Sequence, residues 1–218
     1  MSAETLEILE PGILTTVQDQ GRTGYQRYGV PVSGALDTYA LQVANIMVGN
    51  DESQAGLEIT VLGPRVRFLA DTWVALTGAD LTPLLDGEPV PPWGAVEARS
   101  GSVLAFNGAR DGARAYMAVA GGIDVPVIMG SRSTYVTGSI GGLEGRALRS
   151  GDVLATLPVD LNPNIANRLP DHLAGLSELD VVLSARHQES GDSKIGKQCL
   201  FVVFVPKHIC WANISVYD

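Results

Sequence analysis

Glycine and proline punctuate this chain at short intervals, 25 and 12 of them in 218 residues, and the apolar residues between them mostly alternate with polar ones. A period of two marks half-buried strands, and closely spaced Gly-rich turns leave little room for long helices. The expected class is therefore mainly β with a few helices, a barrel or sandwich. Strands are predicted over residues 5–9, 14–17, 56–61, 65–69, 72–76, 103–106 and 113–120. A hairpin around Leu62-Gly63-Pro64 should join two of them, and Asp86-Gly87 supplies a second, because that dipeptide suits a two-residue turn. Glu58, inside an apolar strand, reads as an outward-facing acid on a two-faced sheet. Arg99-Ser100-Gly101-Ser102-Val103-Leu104-Ala105 recurs as Arg149-Ser150-Gly151-Asp152-Val153-Leu154-Ala155. The echo predicts one turn-into-strand unit used twice in one barrel.

The exception to the two-residue period is the segment after Pro31. Apolar side chains at Leu36, Tyr39, Ala40, Val43, Ala44 and Met47 follow a helical spacing, and Gly49-Asn50 ends it. Pro31 keeps Val30 extended. Ser33 is the predicted N-cap, and Asp37 then falls near the first turn, where a negative charge suits the helix dipole. Asp19, Arg22, Gly24 and Gln26 precede the helix in a Gly-punctuated run dense in polar groups. That run serves equally as the wall of a binding surface or as a loop held by an Asp19–Arg22 pair. A second polar, Gly-rich region spans residues 121–145. Within it Gly130-Ser131-Arg132-Ser133-Thr134 offers a guanidinium, hydroxyls and N–H groups suited to a carboxylate or phosphate. Gly141-Gly142 and Gly145-Arg146 repeat the theme, and a mobile hairpin loop is the competing reading.

What is missing narrows the chemistry. There is no His before residue 172, no Lys before 194 and no Cys before 199. Ser-His-Asp and Cys-His catalysis, His or Cys metal sites, a Schiff-base Lys and a phosphate-loop Lys are thereby excluded from most of the chain. The remaining inventory binds and polarises, and is poorly suited to moving protons near neutral pH. A net charge of −9 makes nucleic acid and anionic membranes poor partners. The N-terminus has neither the basic start nor the apolar run of a signal peptide, and the longest apolar run, 199–205, is too short to span a bilayer. With two late Cys and no disulfide framework, a cytoplasmic location is expected.

The two polar regions carry a family resemblance. TTVQDQGRTGYQRYGVPVSGALD, ANIMVGN, LEIT, RAYMAVAGGID, GSRST and GGLEGRAL, in that order, closely resemble the allophanate hydrolase subunit 2 family, also called the biotin-dependent carboxyltransferase-like family. The resemblance covers residues 5 to about 158. It implies a cyclophilin-like β-barrel architecture and work in a complex, with an allophanate hydrolase subunit 1-type partner (the 5-oxoprolinase B-subunit or a KipI-like protein) and a third 5-oxoprolinase subunit. The implied activity is ATP-dependent opening of the 5-oxoproline lactam to glutamate, with ATP and Mg held through the complex. A carboxyltransferase component of a urea or amide carboxylase and a non-enzymatic KipA-like regulator that binds a kinase inhibitor are the alternatives. The matching positions place Asp19, Arg22, Gly24, Gln26, Ser33 and Asp37 on one wall of a substrate cleft and Ser131, Arg132 and Thr134 on another. Arg132 or Arg22 would face a substrate carboxylate. No Lys stands in a biotin-acceptor motif, so biotin is not attached to this chain.

Composition changes sharply near the end. All twelve Arg lie at or before residue 186, whereas all three Lys and both Cys lie at or after 194. Residues 1–186 are read as the family region, with the second half of the family fold missing, and 187–218 as an atypical tail of the kind a frameshift produces. Cys199, His208 and Cys210 are read as accidental, and CLFVVFV as an aggregation-prone run with no sheet to join.

Overall fold

A computed structural model describes residues 2–159, 199–205 and 208–214. Met1–Arg168 and Leu169–Asp218 form two compact units. Among the described residues of the first unit there are eleven strands and one α-helix: β1 (Ala3–Glu10), β2 (Leu14–Gln18), α1 (Thr38–Met47), β3 (Gly56–Thr60), β4 (Arg65–Phe68), β5 (Thr72–Asp80), β6 (Pro83–Leu85), β7 (Glu88–Pro89), β8 (Gly94–Ala98), β9 (Val103–Phe106), β10 (Asp111–Val119) and β11 (Val153–Thr156). They build two antiparallel sheets, of order β11-β1-β4-β9-β6-β7 and β2-β3-β10-β5-β8. Alternation decides what faces inward. Leu6, Ile8, Val66, Phe68, Leu104 and Leu154 of the first sheet meet Val17, Leu57, Ile59, Val74, Leu76, Met117 and Val119 of the second in one core.

The other face of the second sheet is covered by α1. Ala44 and Val48 lie on Ala75 and Ala118, and Ala40 and Leu41 lie on Tyr116. Alanines on both surfaces let the helix approach closely, and Thr77 Oγ1 donates to the Ala40 carbonyl at 2.7 Å. The buried face is thus Ala40, Leu41, Ala44, Asn45 and Val48, rotated from the predicted stripe: Leu36 is 73% exposed and Tyr39 56%. The cap differs from expectation for a related reason. Asp37, not Ser33, is the N-cap, its carboxylate accepting from Ala40 N at 2.9 Å. Ser33 instead holds a left-handed backbone (φ 56°) beside Gly34. A Cβ at Gly34 would stand 2.9 Å from Gly21 N, so the turn needs glycine where the two stretches of loop touch.

Two further expectations change. The segments 56–61 and 65–69 do not pair as a hairpin, because β3 belongs to one sheet and β4 to the other. Leu62-Gly63-Pro64 is a corner between sheets: Val61 takes φ 58°, and Phe106 occupies the space that a Cβ at Gly63 would need. Asp86-Gly87 does form the expected two-residue turn, with φ 52° and 90° and β6 paired to β7. The Arg-Ser-Gly echo is a local twofold. Gly101 N donates to Phe68 O as Gly151 N donates to Ile8 O, and Phe68 N and Ile8 N donate back to Ser102 O and Asp152 O. Ser100 and Ser150 hydroxyls bond Leu69 O and Leu9 O. The axis passes through the β1–β4 pair Glu7↔Arg67, whose side chains bridge at 2.9 Å.

In the second unit β12 (Cys199–Val205) pairs antiparallel with β13 (His208–Ile214), from Cys199↔Ile214 to Val205↔His208. The CLFVVFV run therefore does find a strand partner. The composition break after residue 186 lies outside the described residues.

Candidate functional site

The two polar regions foreseen in the sequence meet at the end of β2. Asp19 is buried there, and its carboxylate is the knot between them. Oδ1 accepts from Gly21 N at 2.8 Å, from Ser131 Oγ at 2.7 Å and from Ser133 Oγ at 2.5 Å; Oδ2 accepts from Arg132 N at 2.5 Å. Burial alone would raise this carboxyl's pKa, but the donors Ser133, Arg132 N, Ser131 and Gly21 N together hold it below the usual carboxylate range. A carboxylate engaged by four donors stays ionised and positions the loop.

Around the knot the backbone closes on itself. Arg22 N donates to Val32 O, Ala35 N to Asp19 O, Thr134 N to Val17 O and Asp19 N to Ser133 Oγ. Gln18 Nε2 bonds Thr16 Oγ1 at 3.0 Å and Thr134 O at 3.2 Å, and the Thr134 hydroxyl caps Val17 O at 2.9 Å. Arg22, only 1% exposed, passes beneath these segments and anchors Nη2 on the Ser133 carbonyl. No Asp19–Arg22 ion pair occurs among the described residues.

The structure thus brings together Asp19, Arg22, Ser131 and Thr134, plus Gln18 and Ser133, which the sequence reading does not single out. Gln18 carries a readable signal: in β2 the run Thr15, Thr16, Gln18 leaves polar side chains in both phases of the alternation, so some must be buried. Of the other candidates, Arg132 joins the knot through its backbone N–H alone. Gln26 bonds Gly24 N at 3.0 Å on an exposed turn, and Asp37 caps α1. Ser33 adjoins Gly21 through its backbone carbonyl. Arg132 contributes its N–H to Asp19, while its guanidinium turns to Val125 O (3.0 Å) and Asp124 (3.4 Å), a structural engagement. Arg146, in the repeated Gly-Arg theme, is likewise committed to Asp152 at 2.7 and 2.9 Å.

A second network fixes the start of α1. Glu58 lies on the outer face of its sheet as expected, opposite to core-facing Leu57 and Ile59, but it is covered there: it is 7% exposed and accepts from Leu36 N (2.8 Å), Arg114 (3.0 Å) and Tyr116 Oη (2.9 Å). Tyr116 Oη in turn accepts from Asp37 N at 2.8 Å. Burial, with the Glu58 charge beside it, raises the Tyr116 hydroxyl above its ordinary pKa even though the Asp37 N–H opposes the rise, so it stays protonated and donates. The three donors explain why an acid is accepted inside a sheet.

Among the described residues the arrangement is rich in fixed donors, and its carboxylates Asp19 and Glu58 are each held by several of them. Among the described residues no group of three His, Cys, Asp or Glu could hold a metal ion, and no helix is long and apolar enough to cross a membrane.

Comparison with known proteins identifies the family. The chain is 47% identical over 149 residues to the 5-oxoprolinase C-subunit of Escherichia coli, a match covering 68% of this chain and 48% of that protein. It is 45% identical over 150 residues to urea amidolyase of Saccharomyces cerevisiae, covering 68% of this chain and 8% of that one. The crystal structure of the Kluyveromyces lactis urea carboxylase superposes with a TM-score of 0.69 at 40% identity, over 76% of this chain and 14% of that. The chain therefore spans about half the length of the bacterial relative and a small part of the fungal ones. Residues 28–196 match the family described as carboxyltransferase domain, subdomain A and B. With the two-sheet fold and these matches agreeing, the chain belongs to the carboxyltransferase domain family.

Proposed function

We propose that this chain is a subunit of an ATP-dependent 5-oxoprolinase, opening the 5-oxoproline lactam to glutamate together with a B-type partner and a third subunit. The observation that carries the reading is the donor-rich region around Asp19, in a chain 47% identical to a 5-oxoprolinase C-subunit. A lactam carbonyl is a weak electrophile. Activating its oxygen by phosphorylation creates a leaving group, and such a reaction asks for anion clamps and fixed N–H donors more than for bases. Asp19 holds Ser131, Arg132 N and Ser133 in place, so that the wall built from Arg22, Ser131 and Thr134 is preorganised rather than assembled by substrate.

The residues here do not fit ATP with Mg. Asp19 is engaged by four donors and the described residues offer no acidic cluster, so this reading has nucleotide and metal held through the partner subunits. A urea or amide carboxylase role is the second reading, favoured by the match to urea amidolyase; carboxylated biotin would then arrive on another domain. Hydrolysis of ATP by the reconstituted complex separates the two. Stimulation by 5-oxoproline is expected, and stimulation by urea with bicarbonate in its place overturns the first reading in favour of the second.

A further inference from the structure

Arg22 is buried to 1% exposure, and its Nε and Nη1 have no hydrogen-bond partner; Gln18, 6% exposed, leaves Oε1 unpartnered. The Gln18 amide cannot simply be turned over. Its Nε2 faces the Thr134 carbonyl, which only accepts, so Oε1 is a true idle acceptor. Both side chains are anchored on successive carbonyls, Ser133 for Arg22 and Thr134 for Gln18. Among the described residues no carboxylate lies within 4.0 Å of the Arg22 guanidinium, and Asp19 is already engaged by four donors. A buried guanidinium without counter-charge costs several kcal/mol, far more than an unpaired neutral group. A buried water would satisfy donors but leave the charge uncompensated.

We propose that Arg22 and Gln18 form a buried site for a carboxylate-class anion that carries its own O–H or N–H donor, the anion pairing with the Arg22 donors and the donor with Gln18 Oε1. Planar carboxylates match the guanidinium fork, and an Arg at such a site is not replaceable by Lys. Two sources share this chemistry: bicarbonate, whose O–H would meet Gln18, and 5-oxoproline, whose ring N–H sits next to its carboxylate. The site deepens the function proposed above and rests on it for the second source. It also assigns the anion to Arg22 and not to Arg132, whose guanidinium is held by Val125 O and Asp124. Gly141 lies directly against it: a Cβ there would stand 2.6 Å from Arg22 Nη2 and collide with the Ser133 carbonyl.

The test is a nitrogen-15 NMR titration of the full chain that follows the Arg22 Nε–H resonance, assigned through its proximity to Ser133 and Gly141. Sodium bicarbonate, 5-oxoproline and formate are added in turn, against chloride at equal ionic strength. A saturable shift with bicarbonate or 5-oxoproline is expected, weaker with formate, which lacks the donor for Gln18; the tighter of the two names the source. Arg22→Lys should weaken binding about tenfold or more, since one or more charge-assisted hydrogen bonds are lost. An Nε–H that no carboxylate moves overturns the site and leaves Arg22 satisfied by water, as does unchanged affinity in Arg22→Lys. Should that variant not fold, the wild-type titration decides alone. The two ideas fail separately: a complex stimulated by 5-oxoproline with an unmoved Nε–H sinks only the site, and a moved Nε–H in a complex that 5-oxoproline does not stimulate sinks only the function.

Discussion

Asp19 shows how one side chain joins two distant pieces of sequence. Its four donors come from residue 21 and from residues 131–133. Asp19→Asn puts an amide N–H among donors and should destabilise the protein by about 2–3 kcal/mol, the loss expected for hydrogen bonds to a buried charge, read from urea unfolding. The pH dependence has a definite sign. The folded pKa of Asp19 is lowered, so its contribution is complete above the unfolded value, about 3.9, and is lost as pH falls through the lower folded value. The gap between wild type and Asp19→Asn should therefore narrow in acid below about pH 4. Sequence marked Asp19 and the 131–134 run as polar and dense, but could not say that they bond each other, because that depends on how two loops far apart in the chain are brought together. The burial of Glu58 went unread for the same reason: its donors, Leu36 N, Arg114 and Tyr116, come from three separate segments.

Elements were more legible than contacts. Most strand positions and the α-helix of the described residues follow from local periodicity and turn chemistry, which act over a few residues, whereas β8 was not foreseen. The faces of α1 did not follow, because Leu36 and Tyr39 fit the helical period equally well, yet Leu36 precedes the N-cap Asp37 and Tyr39 lies on the exposed side. The supposed hairpin at Leu62-Gly63-Pro64 was illegible for a topological reason: a corner between sheets and a turn within one use the same residues. The repeated Arg-Ser-Gly turn gives a test at this scale. Gly101 and Gly151 have φ of 92° and 87°, and a Cβ at either would meet nothing within 4 Å. Gly101→Ala and Gly151→Ala should thus cost the same, about 1–2 kcal/mol each, from backbone conformation alone. Unequal costs in denaturant titrations would show that the twofold is not energetic.

At the scale of the molecule, two sheets enclose one core, α1 lies on the outer face of the second sheet, and the polar knot sits where β2 ends. The cyclophilin-like expectation holds in its β-rich two-sheet form with one α-helix among the described residues. The local twofold also orders events in time. Glu7 and Val153 are separated by roughly four times as much chain as Arg67 and Val103, yet each pair joins its strands through the same turn chemistry, and a fourfold longer loop costs about 1.2 kcal/mol more to close. Two near-identical unions thus differ chiefly in the length of tether each must reel in. The β4–β9 union should mature first, and the β1–β11 union should seal the sheet last. Pulse-labelled hydrogen exchange during refolding should protect the amides of Phe68 and Gly101 before their counterparts at Ile8 and Gly151, like a seam stitched from the inside outward.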